Sequence, residues 1–204
     1  AAHGIRRIVA TPHFYPRQNA PEEFLERRAE SARRLLEAAS RESSLPQMLL
    51  GAEVYFFSGI SDCEQLRELT IDQNGCILVE MPLSPWTDRM YRELQDIHYK
   101  LGLNPIVAHV DRYIRPFHTY GIPERLERLP VAVQANANFF LNSWTAGMAM
   151  KMLRKNRIHL LGSDCHNLSS RRPNLGPAVE LIERRLGKEA VEQIVSCQDT
   201  LLFG

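Results

Sequence analysis

Short apolar runs alternate with longer segments of helical period along nearly the whole chain. RRIVATPH is predicted as a strand that ends at His13. Residues 21–42 follow as a helix, with Phe24, Leu25, Ala29, Ala32, Leu35, Leu36 and Ala39 on one stripe and Pro21 in the first turn. MLLGAEVYF is the next strand and holds Glu53. A short helix near 61–69 leads to the strand CILVEMP, which holds Glu80. Residues 88–102 place Met90, Leu94, Ile97 and Leu101 on one helical face. PIVAHV is a strand carrying His109, a helix follows near 122–129, and VAVQANA is a strand ending near Asn136. A helix over 145–156 precedes IHLLGSDCH, the last strand, which ends in Asp164 and His166. Helices near 176–186 and 188–197 close the pattern.

The polar residues at the strand ends, 13, 53, 80, 109, 136 and 164, are 40, 27, 29, 27 and 28 positions apart. Each step is about one strand–helix unit of ~30 residues. The strands are continuous apolar runs, as buried parallel strands are. Parallel strands joined by crossover helices build a doubly wound sheet or a barrel, and both bring the carboxyl ends of the strands to one face. The pattern therefore predicts an α/β fold, one domain over 1–204, in which His13, Glu53, Glu80, His109, Asp164 and His166 meet in one pocket. Ala1–Gly4 reads as the tail of a helix with Gly4 just past its end, so the chain is expected to begin inside the fold.

Composition narrows the function classes. The net charge of +1 gives no electrostatic case for nucleic acid or an anionic membrane. No apolar run approaches the length of a membrane span. The four cysteines, Cys63, Cys76, Cys165 and Cys197, form no CxxC pair, which fits reduced thiols in a cytoplasmic protein. No Gly-rich nucleotide loop is present.

Three histidines and three carboxylates in one pocket call for an explanation in chemistry. Crowded carboxylates repel, and divalent cations remove that conflict. Imidazole with carboxylate suits zinc, manganese or iron, and closely spaced metals serve phosphoryl chemistry. Taken singly, each residue has a structural explanation: a hydrogen-bonded histidine, or a glutamate paired with arginine. His98 and His118 read as surface residues, and His3 and His159 as structural ones at the opposite ends of strands. The stretch GSDCHNLSSR (Gly162–Arg171) also admits a thiolate reading, because Cys165 and Arg171 have the Cys-x5-Arg spacing of thiol-dependent tyrosine phosphatases. Against it, the loop lacks glycine, Pro173 precedes the next helix, and Asp164 would raise the thiol pKa. Strand alternation would also turn Cys165 away from the pocket as a small packed residue.

In this order and spacing, ATPHFYP, GAEVYF, ILVEMP, PIVAHVDRY, QANA and LLGSDCHN resemble the polymerase-and-histidinol-phosphatase (PHP) superfamily. More closely, they resemble its manganese-dependent bacterial tyrosine-protein phosphatases, over nearly the whole chain. The resemblance implies a distorted seven-stranded, TIM-like β/α barrel with a cluster of up to three metal ions, usually manganese. The family's ligands map onto His13, Glu53, Glu80, His109, Asp164 and His166. Two phosphate-holding arginines map onto Arg112 and Arg171, a task for which the guanidinium fork suits. The family opens with a His-x-His strand and an acidic turn, and neither is in this sequence, so the resemblance implies a first βα unit missing from this chain. It further implies attack by metal-bound hydroxide on phosphotyrosine of a protein tail, with no phosphoenzyme. The substrates it implies are tyrosine autokinases of capsule and exopolysaccharide assembly. Phe14, Tyr15, Tyr55, Phe56, Trp86 and Tyr113 are candidates to line the pocket or to pack its rim. The rival readings are a small-molecule phosphatase of the histidinol-phosphate type and a non-catalytic metal-binding or interaction domain.

Overall fold

A computed structural model describes residues 5–40, 45–116 and 118–203. The helix tail expected at 1–4 and His3 lie outside them, as do residues 41 and 42 of the first expected helix. The chain forms two compact units: one runs through Pro82 and takes in Trp86–Pro105, and the other comprises Leu83–Pro85 and the residues from Ile106 onward.

Five parallel strands among the described residues build the first unit: β1 (Arg7–Ala10), β2 (His13–Phe14), β3 (Gln47–Leu50), β4 (Glu53–Tyr55) and β5 (Cys76–Glu80). β1 pairs with β3, and β4 lies between β2 and β5. Two runs expected to be unbroken strands are therefore each divided, at Thr11–Pro12 and at Gly51–Ala52. The division does not shift the register. Arg7 faces Gln47 and His13 faces Glu53, the same offset of 40 on either side. Gly51 N–H donates to Ala10 C=O at 2.9 Å and Glu53 N–H to Pro12 C=O at 3.0 Å. Pro12 has no N–H to contribute, yet its carbonyl keeps the ladder going. Gly51 is required by space, since a Cβ there would lie 2.9 Å from Ile71 Cγ1 and 3.3 Å from Thr11 Cγ2. This backbone continuity delivers His13 and Glu53 side by side at the carboxyl end of the pair.

α1 (Pro21–Ala39) buries Phe24 against Phe14, ring centroids 5.2 Å apart. Its expected stripe is buried only in part: Leu35 and Leu36 are more than half exposed. The short helix expected near 61–69 is instead three 3-10 turns, Ile60–Asp62, Glu64–Leu69 and Ile71–Gln73. α2 (Asp88–Leu101) starts where the Thr87 hydroxyl accepts the Met90 N–H and ends at Gly102 in the left-handed region, φ 64°. It buries Tyr91, Leu94, Ile97 and Leu101. His98, expected at the surface, is half-buried beside the Leu103 carbonyl, 3.1 Å from Nδ1.

The second unit takes in the last two residues of β6 (Asn104–Val107) and all of β7 (Ala132–Asn136) and β8 (Leu160–Gly162), parallel and in sequence order. β6 and β8 stop sooner than the apolar runs suggest. His109 follows β6 with φ 32° and ψ 58° and opens a 3-10 turn, Val110–Arg112. Asp164 follows β8 with φ 49°. Neither residue is in a strand, because the left-handed backbone at each cannot continue a ladder. α3 (Ile122–Leu126) is shorter than expected, and α4 (Ala137–Leu141) directly after β7 is an element that the periodicity did not reveal. α5 (Ala146–Arg154), α6 (Leu175–Leu186) and α7 (Lys188–Phe203) follow, α7 extending beyond the expected 197. α7 reaches back to β8, where Gln198 Oε1 accepts the Leu161 N–H at 3.3 Å. The strand–helix alternation expected from the sequence is observed in both units. Among the described residues no helix is long and apolar enough to cross a membrane.

Candidate functional site

In the first unit, His13, Glu53 and Glu80 converge. His13 and Glu53 are register partners on β2 and β4, and Glu80 ends β5. One ligand atom from each of the three lies within 4.8 Å of the other two. His13 Nδ1 is 3.7 Å from Glu53 Oε1 and 3.5 Å from Glu80 Oε2. Donors around one tetrahedral ion with ~2.1 Å bonds are ~3.4 Å apart, so these separations suit a shared cation. One imidazole with two carboxylates is also a donor set that divalent transition metals accept. Glu53 is buried, and His13 and Glu80 are half-buried, so the cluster lies at the edge of the core. Beside it, Tyr15 stacks on His13 with centroids 5.5 Å apart, and Tyr55 lies 5.8 Å beyond Tyr15. Of the six aromatics named from the sequence, Phe14 and Tyr113 are core residues.

In the second unit, the other five predicted residues lie in the segments that follow β6 and β8. Asp164 is the hub. Arg112 Nη2 donates to its Oδ2 at 2.8 Å, and Arg171 pairs with the same oxygen. His166 Nδ1 is 3.1 Å from the Asp164 carbonyl and 3.6 Å from Oδ1. Burial pushes the Asp164 carboxyl upward, but the hydrogen bond from Arg171 and the charge of Arg112 outweigh it and hold the group below the usual carboxylate range. His109 is fully buried, with Nδ1 3.2 Å from the Tyr113 hydroxyl. Arginines gathered on a carboxylate are also placed to meet a phosphate, which presents the same kind of oxygen.

Three residues of this unit were not singled out as site residues from the sequence. Asp111 Oδ1 accepts the Asn136 N–H at 2.8 Å, and burial raises the Asp111 carboxyl despite that bond. Gln134 accepts the backbone N–H of His109, and Asn136 Nδ2 approaches Asp164 Oδ2 at 3.4 Å. The signal for Asn136 was its place in the series of strand ends. Gln134, a polar residue inside an apolar strand, was the other legible sign.

The thiolate reading finds no support. Asn167 Oδ1 accepts the N–H groups of Ser169 and Arg171 at 2.9 and 3.0 Å, so the loop's own side chain uses donors that a phosphate cradle would need. Arg171 is engaged with Asp164. Cys165 is exposed, which corrects the expectation of a packed residue: strand alternation does not extend past Gly162.

Several known proteins are similar to this chain in sequence or in fold. The family described as capsular polysaccharide synthesis, CpsB/CapC, matches residues 1–202. The tyrosine-protein phosphatase CpsB of Streptococcus agalactiae serotype V is 27% identical over 202 residues, covering 94% of this chain and 81% of its own. The tyrosine-protein phosphatase YwqE of Bacillus subtilis is 26% identical over 209 residues, covering 98% and 79%. A solved chain from the crystal structures of YwqE and of CpsB from Streptococcus pneumoniae, described as unique metal-dependent tyrosine phosphatases, aligns with a TM-score of 0.82. That alignment is 22% identical and covers 98% of this chain and 82% of the other, a likeness of parallel α/β fold. With nearly every residue inside the family match, the chain belongs to the CpsB/CapC family of capsular polysaccharide synthesis.

Proposed function

We propose that this chain is a metal-dependent protein-tyrosine phosphatase. Its substrate is a phosphotyrosine-bearing protein tail, that of a bacterial tyrosine kinase of capsule or exopolysaccharide synthesis, met in the cytoplasm. The observation that carries the reading is the His13–Glu53–Glu80 cluster in a chain of the CpsB/CapC family. His109, Asp164 and His166 complete the proposed ligand set, the metal is manganese in a cluster of up to three ions, and the fold is a distorted seven-stranded barrel.

Bound metal supplies Lewis-acid polarisation of the phosphoryl group and a water of lowered pKa. The remaining work falls to side chains. Arg112 and Arg171 take phosphate oxygens in the bidentate manner that guanidinium favours and neutralise the charge that builds as the P–O bond breaks. Their present hold on Asp164 keeps both guanidiniums ordered at the ends of β6 and β8. Tyr15 and Tyr55 offer an aromatic surface beside His13 that fits a phenyl phosphate ester better than an alkyl one.

The test is hydrolysis of a phosphotyrosyl peptide with Mn2+, with and without chelator and after thiol alkylation. Activity abolished by chelator and spared by alkylation is expected, and Arg171→Ala should lower kcat/KM by about a hundredfold. Activity that survives the chelator would sink the metal reading. Faster turnover of histidinol phosphate would move the substrate class to small molecules.

A further inference from the structure

Gln134 points its carboxamide across the second unit rather than into solvent. Its Oε1 accepts the backbone N–H of His109, so one side chain ties the middle of β7 to the turn that follows β6. Its Nε2 donates to the Ala135 carbonyl and to Asn136 Oδ1, both at 3.2 Å. Asn136 Nδ2 then reaches Asp164 Oδ2 at 3.4 Å. A line of hydrogen bonds thus runs from His109 through Gln134 and Asn136 to Asp164. Both ends of this line have left-handed backbones, φ 32° at His109 and φ 49° at Asp164, a conformation that costs free energy in residues with side chains. Such a conformation persists only where surrounding bonds hold it.

Gly162 makes the arrangement possible. It is the register partner of Asn136 on β8, and a Cβ built on it would overlap Gln134 Nε2 and come within 3.0 Å of Cδ. Any larger residue at 162 would therefore displace the carboxamide.

We infer that Gln134 and Asn136 form a carboxamide relay that fixes His109 and Asp164 in the relative position needed to bind metal, with Gly162 conserving the space for it. Gln134 is a positioning residue: it acts through His109. The inference rests on the reading of His109 and Asp164 as ligands. Groups that orient metal ligands from behind alter metal affinity by about 10- to 100-fold when removed.

The experiment is direct titration of Mn2+ into the metal-stripped full chain, for wild type, Gln134→Ala, Gly162→Ala and the double variant, with the metal-free thermal midpoint as the check on folding. Each single variant is expected to weaken Mn2+ binding by about tenfold or more. The double variant should be no weaker than Gln134→Ala, since an alanine at 162 has nothing left to strike. A role in stability alone would lower the metal-free midpoint and leave the affinity of the folded chain unchanged. Wild-type affinity in folded Gln134→Ala overturns the inference, and so do losses that multiply in the double variant. Should Gln134→Ala not fold, Gly162→Ala, which keeps the glutamine, carries the test on the same terms. A wild-type chain that takes up no Mn2+ removes the ligand reading itself, and the inference with it, a result visible before any variant is made.

Discussion

His159 shows how one residue's burial becomes a property of the protein. It stands just before β8, where its N–H donates to the Val133 carbonyl at 2.8 Å and its Nδ1 accepts the Val133 N–H at 3.0 Å. Burial lowers its pKa below the ordinary imidazole value. The folded chain therefore keeps the ring neutral where the unfolded chain takes a proton. The sign follows: this stabilisation is complete above about pH 6.5 and is lost as pH falls from there toward the lowered folded value. His159→Asn keeps an acceptor for Val133 and removes the titration. Urea midpoints between pH 7.5 and 5 should fall for wild type and fall less for the variant, and parallel curves would refute the assignment. At the same scale, Asp164 and Asp111 show opposite outcomes of burial. Two arginines hold the first down, while for the second burial outweighs the backbone hydrogen bonds and the charge of Arg112.

Among the elements, α2 and the turn Ile60–Asp62 form the clearest unit of local design. Glu93 on α2 is 7% exposed. It accepts the N–H of Gly59 at 2.7 Å and of Ile60 at 3.1 Å, and Arg89 donates to its other oxygen at 3.0 Å. The helix thus supplies the acceptors that the N-terminus of a 3-10 turn lacks. Glu93→Leu would fill the volume but leave the Gly59 N–H without this acceptor and the Ile60 N–H with the Phe57 carbonyl alone, at a cost of about 1–3 kcal/mol. Thermal unfolding should register a lower midpoint, and an unchanged midpoint would mean the turn finds water instead. The sequence could not disclose this link, because a glutamate on a helix reads as a solvent-facing residue until its neighbours are known. The divided strands teach the same lesson. RRIVATPH and MLLGAEVYF were legible as strands, and their pairing with an unbroken offset of 40 places His13 beside Glu53. The breaks were less visible, since Pro12 and Gly51 act through pairing and packing rather than through hydropathy.

For the whole molecule, the proposed metal centre ties metal binding to stability. A ligand that binds only the folded chain stabilises it by about 2.7 kcal/mol at a hundredfold excess over its Kd. Mn2+ is expected to raise the thermal midpoint by several degrees, chelator to reverse the rise, and Glu80→Ala to abolish it, as scanning calorimetry would show; a midpoint indifferent to Mn2+ would contradict the proposed centre. The sequence by itself determined the alternation of parallel strands and helices, because burial on both faces writes continuous apolar runs into the chain. It also marked which ionisable residues stand in or just beyond the strands, since each is a visible polar interruption of an apolar run. Tertiary structure alone decided how those residues are held. The early ends of β6 and β8, the left-handed backbones of His109 and Asp164, the gathering of Arg112 and Arg171 on one carboxylate oxygen, and the space Gly162 leaves for Gln134 all arise between segments distant in sequence. Such contacts depend on strand register and close packing, which hydropathy along one chain does not encode.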